Sequence, residues 1–108
     1  MTNPYSYQRQ EMGEVIHRLM SLDTPPEERI AGAVVAFHNA FAHDRLPSGG
    51  ALQWWNKVQQ IIGHDWTPER AATLTASQRH DLVVVFWELD RAVSRDYYRF
   101  EFTGQSDA

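Results

Sequence analysis

Residues 82–102, LVVVFWELDRAVSRDYYRFEF, form the most apolar and aromatic run in the chain, and any fold must find room for them. Leu82, Phe86, Leu89, Val93, Tyr97 and Phe100 recur at three- and four-residue steps, with Val85 and Ala92 beside them. That spacing is one face of a helix with a period of 3.6 residues. Strict alternation fails at Val83-Val84-Val85. Val83 to Trp87 alone could be a buried strand, but the charged continuation from Glu88 to Arg95 contains no turn residue, so the run predicts one long helix. Ahead of it, Thr75-Ala76-Ser77-Gln78 has the form of a capping box, in which the Thr hydroxyl and the Gln side chain satisfy free backbone N–H groups.

A second line runs along the opposite side of the same helix. His80, Val84, Trp87, Arg91, Ser94 and Tyr98 fall in register there, at about 100° per residue. The back of a solvated helix rarely carries Trp, Val and Tyr together. Two arrangements account for them. The helix is interior and buried on both sides, or the stripe is an exposed surface that docks a partner, since Trp, Tyr and Arg are enriched at interface hot spots. In the second case Trp87, Arg91 and Tyr98 are the partner-binding residues. In the first, Arg91 is a buried charge that needs a carboxylate, such as Glu14 or Asp65.

The rest of the chain also reads as helix. Tyr5, Met12, Val15, Ile16, Leu19 and Met20 place a first helix over about residues 5–21. Gly13 lies at the edge of that stripe, where it costs about 1 kcal/mol against Ala, and a close approach of two helices would explain it. Thr24-Pro25 with Glu27 reads as an N-cap, a proline at the first helical position and the acidic partner of a capping box. A second helix then runs to about Asp44 with Ile30, Val34, Phe37 and Phe41 inward. Its back, Ala31, Gly32, Val35, Asn39 and Ala42, is small or apolar. That suggests either a second buried face or a close dimer contact. Pro47 and Gly49-Gly50 mark a loop over residues 44–50. A third helix follows to Ile62, with Ala51, Trp55, Val58 and Ile62 on one face. Trp54 and Trp55 diverge by about 100°, so both are deeply buried only if two elements pack on this helix; otherwise one sits at a rim, and Trp54 joins the partner-binding candidates. Gly63 stops that helix, and Thr67-Pro68 opens a short one. The tail from Thr103 is polar and expected to fray. The fold predicted is all-α: a single compact bundle of four main helices and one short helix, with the last helix central.

Composition narrows the function classes. At 108 residues the chain fits one domain with a core of its own. It has no cysteine, which excludes a disulfide framework and thiolate metal ligation. No run is long enough to span a bilayer, and the polar start Met1 to Tyr7 is not a secretion signal, so a cytoplasmic location is expected. A net charge of −4 with no basic run disfavours nucleic-acid binding. Arg91, Arg95 and Arg99 are interleaved with Glu88, Asp90, Asp96 and Glu101, as on a solvated mixed-charge face.

Three His-Asp dipeptides, His43-Asp44, His64-Asp65 and His80-Asp81, are the strongest hint of chemistry. His with carboxylate can hold a divalent metal or share acid–base work. Neighbours on a helix point about 100° apart and do not chelate together, and capping and dipole effects alone place Asp and His near helix ends. Glu14-Val15-Ile16-His17 has the Glu-x-x-His spacing of di-iron bundles, but such a site needs a second copy and two further Glu residues. His38 flanks the Phe37–Phe41 stripe and makes no site by itself. There is no Gly-rich phosphate loop and no Gly-x-Ser-x-Gly.

In size, acidity and aromatic content (12% of residues, four of them Trp) the chain resembles small acidic helical proteins encoded by phages and plasmids. That resemblance, carried by no motif, implies an inhibitor of host machinery. The reading that results is a non-enzymatic protein-binding module or accessory subunit, without metal or cofactor, whose partner is another protein. The alternatives are a small metal-binding protein or enzyme using the His-Asp pairs, and a homodimer that covers the extra apolar surface.

Overall fold

Several helix ends of the computed structural model fall where the sequence carries a capping or stop signal. The structure describes residues 3–41, 49–63 and 66–104. Among the described residues five α-helices follow in order: α1 Ser6–Leu19, α2 Pro26–Phe41, α3 Leu52–Ile62, α4 Pro68–Ala72 and α5 Ala76–Thr103. A 3₁₀ turn, Gly49–Ala51, leads into α3, and the described residues contain no strand. The Thr75 capping box forms in full: the Thr75 hydroxyl accepts from Gln78 N–H at 3.1 Å, and the Gln78 side chain accepts from Thr75 N–H at 2.8 Å. The Thr67 hydroxyl caps α4 by accepting from Arg70 N–H at 3.2 Å. Gly63 and Gly104, at φ +77° and +68°, end α3 and α5 in a conformation that only glycine adopts without strain.

The second helix starts later than Thr24-Pro25 suggests. Pro26, not Pro25, is its first residue. The Thr24 and Ser21 hydroxyls share a hydrogen bond of 3.2 Å, and the Thr24 carbonyl accepts from Arg29 Nε at 2.7 Å. These contacts fold Thr24 into the turn instead of leaving it as the cap. The helix is described as far as Phe41, so its expected end at Asp44 and Ala42 on its back lie outside the described residues. The expected 44–50 loop falls outside them too, except for its final glycines.

The core is a continuous apolar cluster. Met12 and Val15 of α1, Val34, Phe37 and Phe41 of α2, and Val58 and Ile62 of α3 meet Leu82, Phe86, Leu89 and Val93 of α5. Phe37 is its aromatic hub. Its ring centroid lies 5.0 Å from Phe41, 5.1 Å from Trp66 and 5.2 Å from Phe86, distances at which aromatic pairs add attraction beyond their buried area. Trp55 meets Trp66 edge-on at 6.2 Å. α5 packs against α1 on one side and against α3 and the 3₁₀ turn on the other, while α2 lies between α1 and α4. The radius of gyration, 13.8 Å, matches the roughly 13 Å of a compact domain of this length.

Three core expectations need correction. Along α5 the buried line runs Leu89, Val93, Asp96, Phe100, and Tyr97 is only half-buried. The steps of three and four from Val93 reach Asp96 and Tyr97 equally well. Packing took the shorter step, and Tyr97 turns to the rim, where the Arg9 guanidinium stacks 4.7 Å from its ring centroid. Gly13 marks no close helix approach: it is exposed, and a Cβ there would meet nothing within 4 Å. At Gly32 a Cβ would make only ordinary contact, 3.6 Å from the aliphatic stem of Arg18. Met20, the last residue of the expected α1 stripe, is 59% exposed, because the helix ends at Leu19.

Candidate functional site

The outer side of α5 is open to solvent. Its central position in the bundle does not bury it on both sides, since Val84 and Trp87 are 46% and 41% exposed. Arg91 is exposed as well. Its side chain is 72% accessible, and its Nη1 lies 3.5 Å from Glu88 on the next turn. Glu14, one carboxylate considered for a buried Arg91, instead pairs with Arg18 at 2.9 Å, and Asp65 lies outside the described residues. Tyr98 is also exposed, yet its hydroxyl accepts from Arg9 Nη2 at 2.6 Å and its ring lies 5.0 Å from that guanidinium.

The stripe therefore divides into two environments. Toward the C-terminus, Tyr97 and Tyr98 hold Arg9 of α1 between them, a contact within the molecule. Toward the N-terminus, His80, Val84 and Trp87 form a ridge with a groove on each side. The first groove, about 330 Å³, runs between this ridge and the end of α1 and start of α2. Leu19, Met20, Pro26, Arg29, Ile30, Arg79, His80, Val83 and Trp87 line it. The second, about 450 Å³, runs between the ridge and α3, lined by Trp54, Lys57, Gln60, Ile61, His80, Asp81, Val84 and Val85. Trp54 is half-buried there, with Lys57 Nζ 5.8 Å from its ring centroid. Trp87 and Trp54 thus face solvent from opposite flanks of one surface, with Arg91 beyond its edge and Tyr98 on the Arg9 cluster.

The residues considered for metal or acid–base chemistry do not come together among those described. No group of three or more His, Asp or Glu side chains there could hold a metal ion. His80 and Asp81 are both exposed on α5, while His43-Asp44 and His64-Asp65 lie outside the described residues. Glu14 and His17 point to solvent. His38 is exposed and packs edge-on to Trp66 at 5.5 Å.

Sequence reasoning missed several residues that shape the surface. Asn3 is buried, and its side-chain amide donates to the Tyr97 carbonyl at 3.0 Å and to Glu101 Oε1 at 2.8 Å. Arg9, Arg29 and Arg79 were invisible because their partners are a distant tyrosine pair or backbone carbonyls. The spacing of the two arginines from their carbonyls was the available signal: each is the fourth residue of its helix and reaches back five positions. Two carboxyls on α5 sit in unusual surroundings. Burial pushes Asp96 up from the ordinary carboxylate range, opposed by Arg99 and Arg95, and its Oδ2 has no hydrogen-bond partner among the described residues. Burial also raises Asp90, opposed by Arg9.

No helix among the described residues is long and apolar enough to cross a membrane. No protein family matches the sequence, and neither a characterised protein nor a solved structure is significantly similar to it.

Proposed function

We propose that this protein is a non-enzymatic protein-binding module whose binding face is the N-terminal half of the outer side of α5. The observation that supports this most is the exposed Val84–Trp87 ridge between two grooves. A helix ridge with hollows on both sides offers protrusions and sockets together, and a partner that covers it desolvates a Trp at the centre of the contact, where hot spots concentrate. Trp54 and Met20 extend the apolar surface to either side. Such a face is costly to keep in water and is repaid by association. An inhibitor or an accessory subunit of a larger complex fits this role.

Capture from an extract of the source cells tests the reading, with wild-type protein, Trp87→Ala and Tyr98→Ala as baits. A specific captured protein should be lost with Trp87→Ala and retained with Tyr98→Ala, with both baits shown by thermal melting to remain folded. Capture that survives Trp87→Ala combined with Val84→Asp overturns this face as the site. Sedimentation of the isolated protein separates the homodimer alternative, because a dimer that uses the same face dissociates in the same variants.

A further inference from the structure

The groove between α5 and the α1–α2 turn has a charge opposite to that of the molecule. The chain carries a net −4, yet the charged or titratable side chains lining this groove are Arg29, Arg79 and His80, with no carboxylate among them. Arg29 Nε donates to the Thr24 carbonyl at 2.7 Å, and Arg79 Nη1 donates to the Leu74 carbonyl at 3.0 Å. Each bond uses one of the five guanidinium N–H donors and fixes the plane of the group. Neither arginine makes an ion pair among the described residues. The bonds to the two carbonyls tie down the turn ahead of each helix, but the positive charge itself gains nothing there, since both arginines stand near the positive end of a helix dipole. Between them the groove is apolar, with Val83 and Trp87 on one wall and Leu19 and Ile30 on the other.

We propose that this groove binds an acidic apolar peptide segment of a protein partner. A carboxylate of the segment pairs with Arg29 and Arg79, and a neighbouring large apolar side chain seats against Val83 and Trp87. The inference rests on the reading of the α5 face as a docking surface and adds the chemistry of what docks. Charge complementarity selects the occupant: a guanidinium edge matches a carboxylate with two parallel hydrogen bonds, and groups held in place beforehand lose little freedom on binding. The volume, about 330 Å³, is at the small end of ligand pockets and admits side chains from a segment, not a domain.

Panning a phage-displayed library of random dodecapeptides on the full chain tests this. The expected winners carry Asp or Glu within a helical turn of Trp, Phe or Leu. Their binding, followed by fluorescence anisotropy, weakens as salt rises and falls about tenfold or more in Arg29→Glu/Arg79→Glu. Changing the peptide carboxylate to Lys should restore binding to that variant. Glutamate is favoured near a helix start but cannot donate to the Thr24 and Leu74 carbonyls, so a thermal melt establishes that the variant is folded, and Arg29→Gln/Arg79→Gln, which keeps a donor, gives a second comparison. Winners without an acidic residue, lost in Trp87→Ala but indifferent to the charge reversal, would overturn the acidic segment and leave the docking face standing. Winners indifferent to Trp87→Ala, or none at all, would overturn both. A simple carboxylate amphiphile such as decanoate binding as tightly as the best peptide would also overturn the peptide occupant.

Discussion

Phe86 and Arg91 share one helix and meet opposite environments. Phe86 is fully buried against Phe37, so Phe86→Ala should cost about 3–5 kcal/mol in urea unfolding, the range for buried Phe truncations. Arg91 is exposed beside Glu88, and Arg91→Ala should stay within about 0.5 kcal/mol of wild type. A loss from Arg91→Ala comparable to that of Phe86→Ala would mean the outer side of α5 is buried in solution. Asp96 makes a different prediction. Its folded-state pKa is raised by burial, so the folded protein holds this proton more tightly than the unfolded chain does. Asp96 is therefore best tolerated below the ordinary carboxylate range, and its penalty grows as pH rises through the raised value. Asp96→Asn should be more stable than wild type at pH 7, with the gap closing at pH 4. Thermal melts at the two pH values measure it, and a less stable Asn variant at pH 7 would show that the carboxylate has found a cationic partner.

Among the helices, α1 carries a correctable weakness. Gly13 sits inside α1, is exposed, and has open space where a Cβ would go. Gly13→Ala should raise stability by about 1 kcal/mol, because it removes freedom from the unfolded chain without a clash. An unchanged or lower midpoint would show that the hollow beside Gly13, lined by Arg9, Asp90 and Ser94, needs the missing methyl. The helices themselves were largely legible in the sequence. Thr75, Thr67, Gly63 and the three- and four-residue spacing of α5 act locally, so the backbone follows them wherever the rest of the chain goes. Legibility failed where two local solutions were nearly equal and a distant group decided. Arg29 drew Thr24 away from the helix start, and Arg9 drew Tyr97 out of the buried line.

For the whole molecule, the candidate surface was half legible. The periodicity placed Trp87, Arg91 and Tyr98 on one side of α5, but a helical wheel does not know which of its turns are flanked. Arg9 closes over Tyr98 and the α1–α2 turn rises beside Trp87, and both come from far along the chain. The grooves are likewise made by residues that only tertiary packing brings near. Asn3 has a consequence for how the protein can be handled. By bonding Tyr97 and Glu101, it brings the entering chain to the same pole as the last turns of α5. His80 lies about 30 Å further along that helix, at 1.5 Å per residue. Whatever is joined before Asn3 or after Gly104, be it a tag, a fluorophore or a whole neighbouring domain, hangs from that one pole like a cord from a plug. The grooved N-terminal half of α5 lies away from that pole.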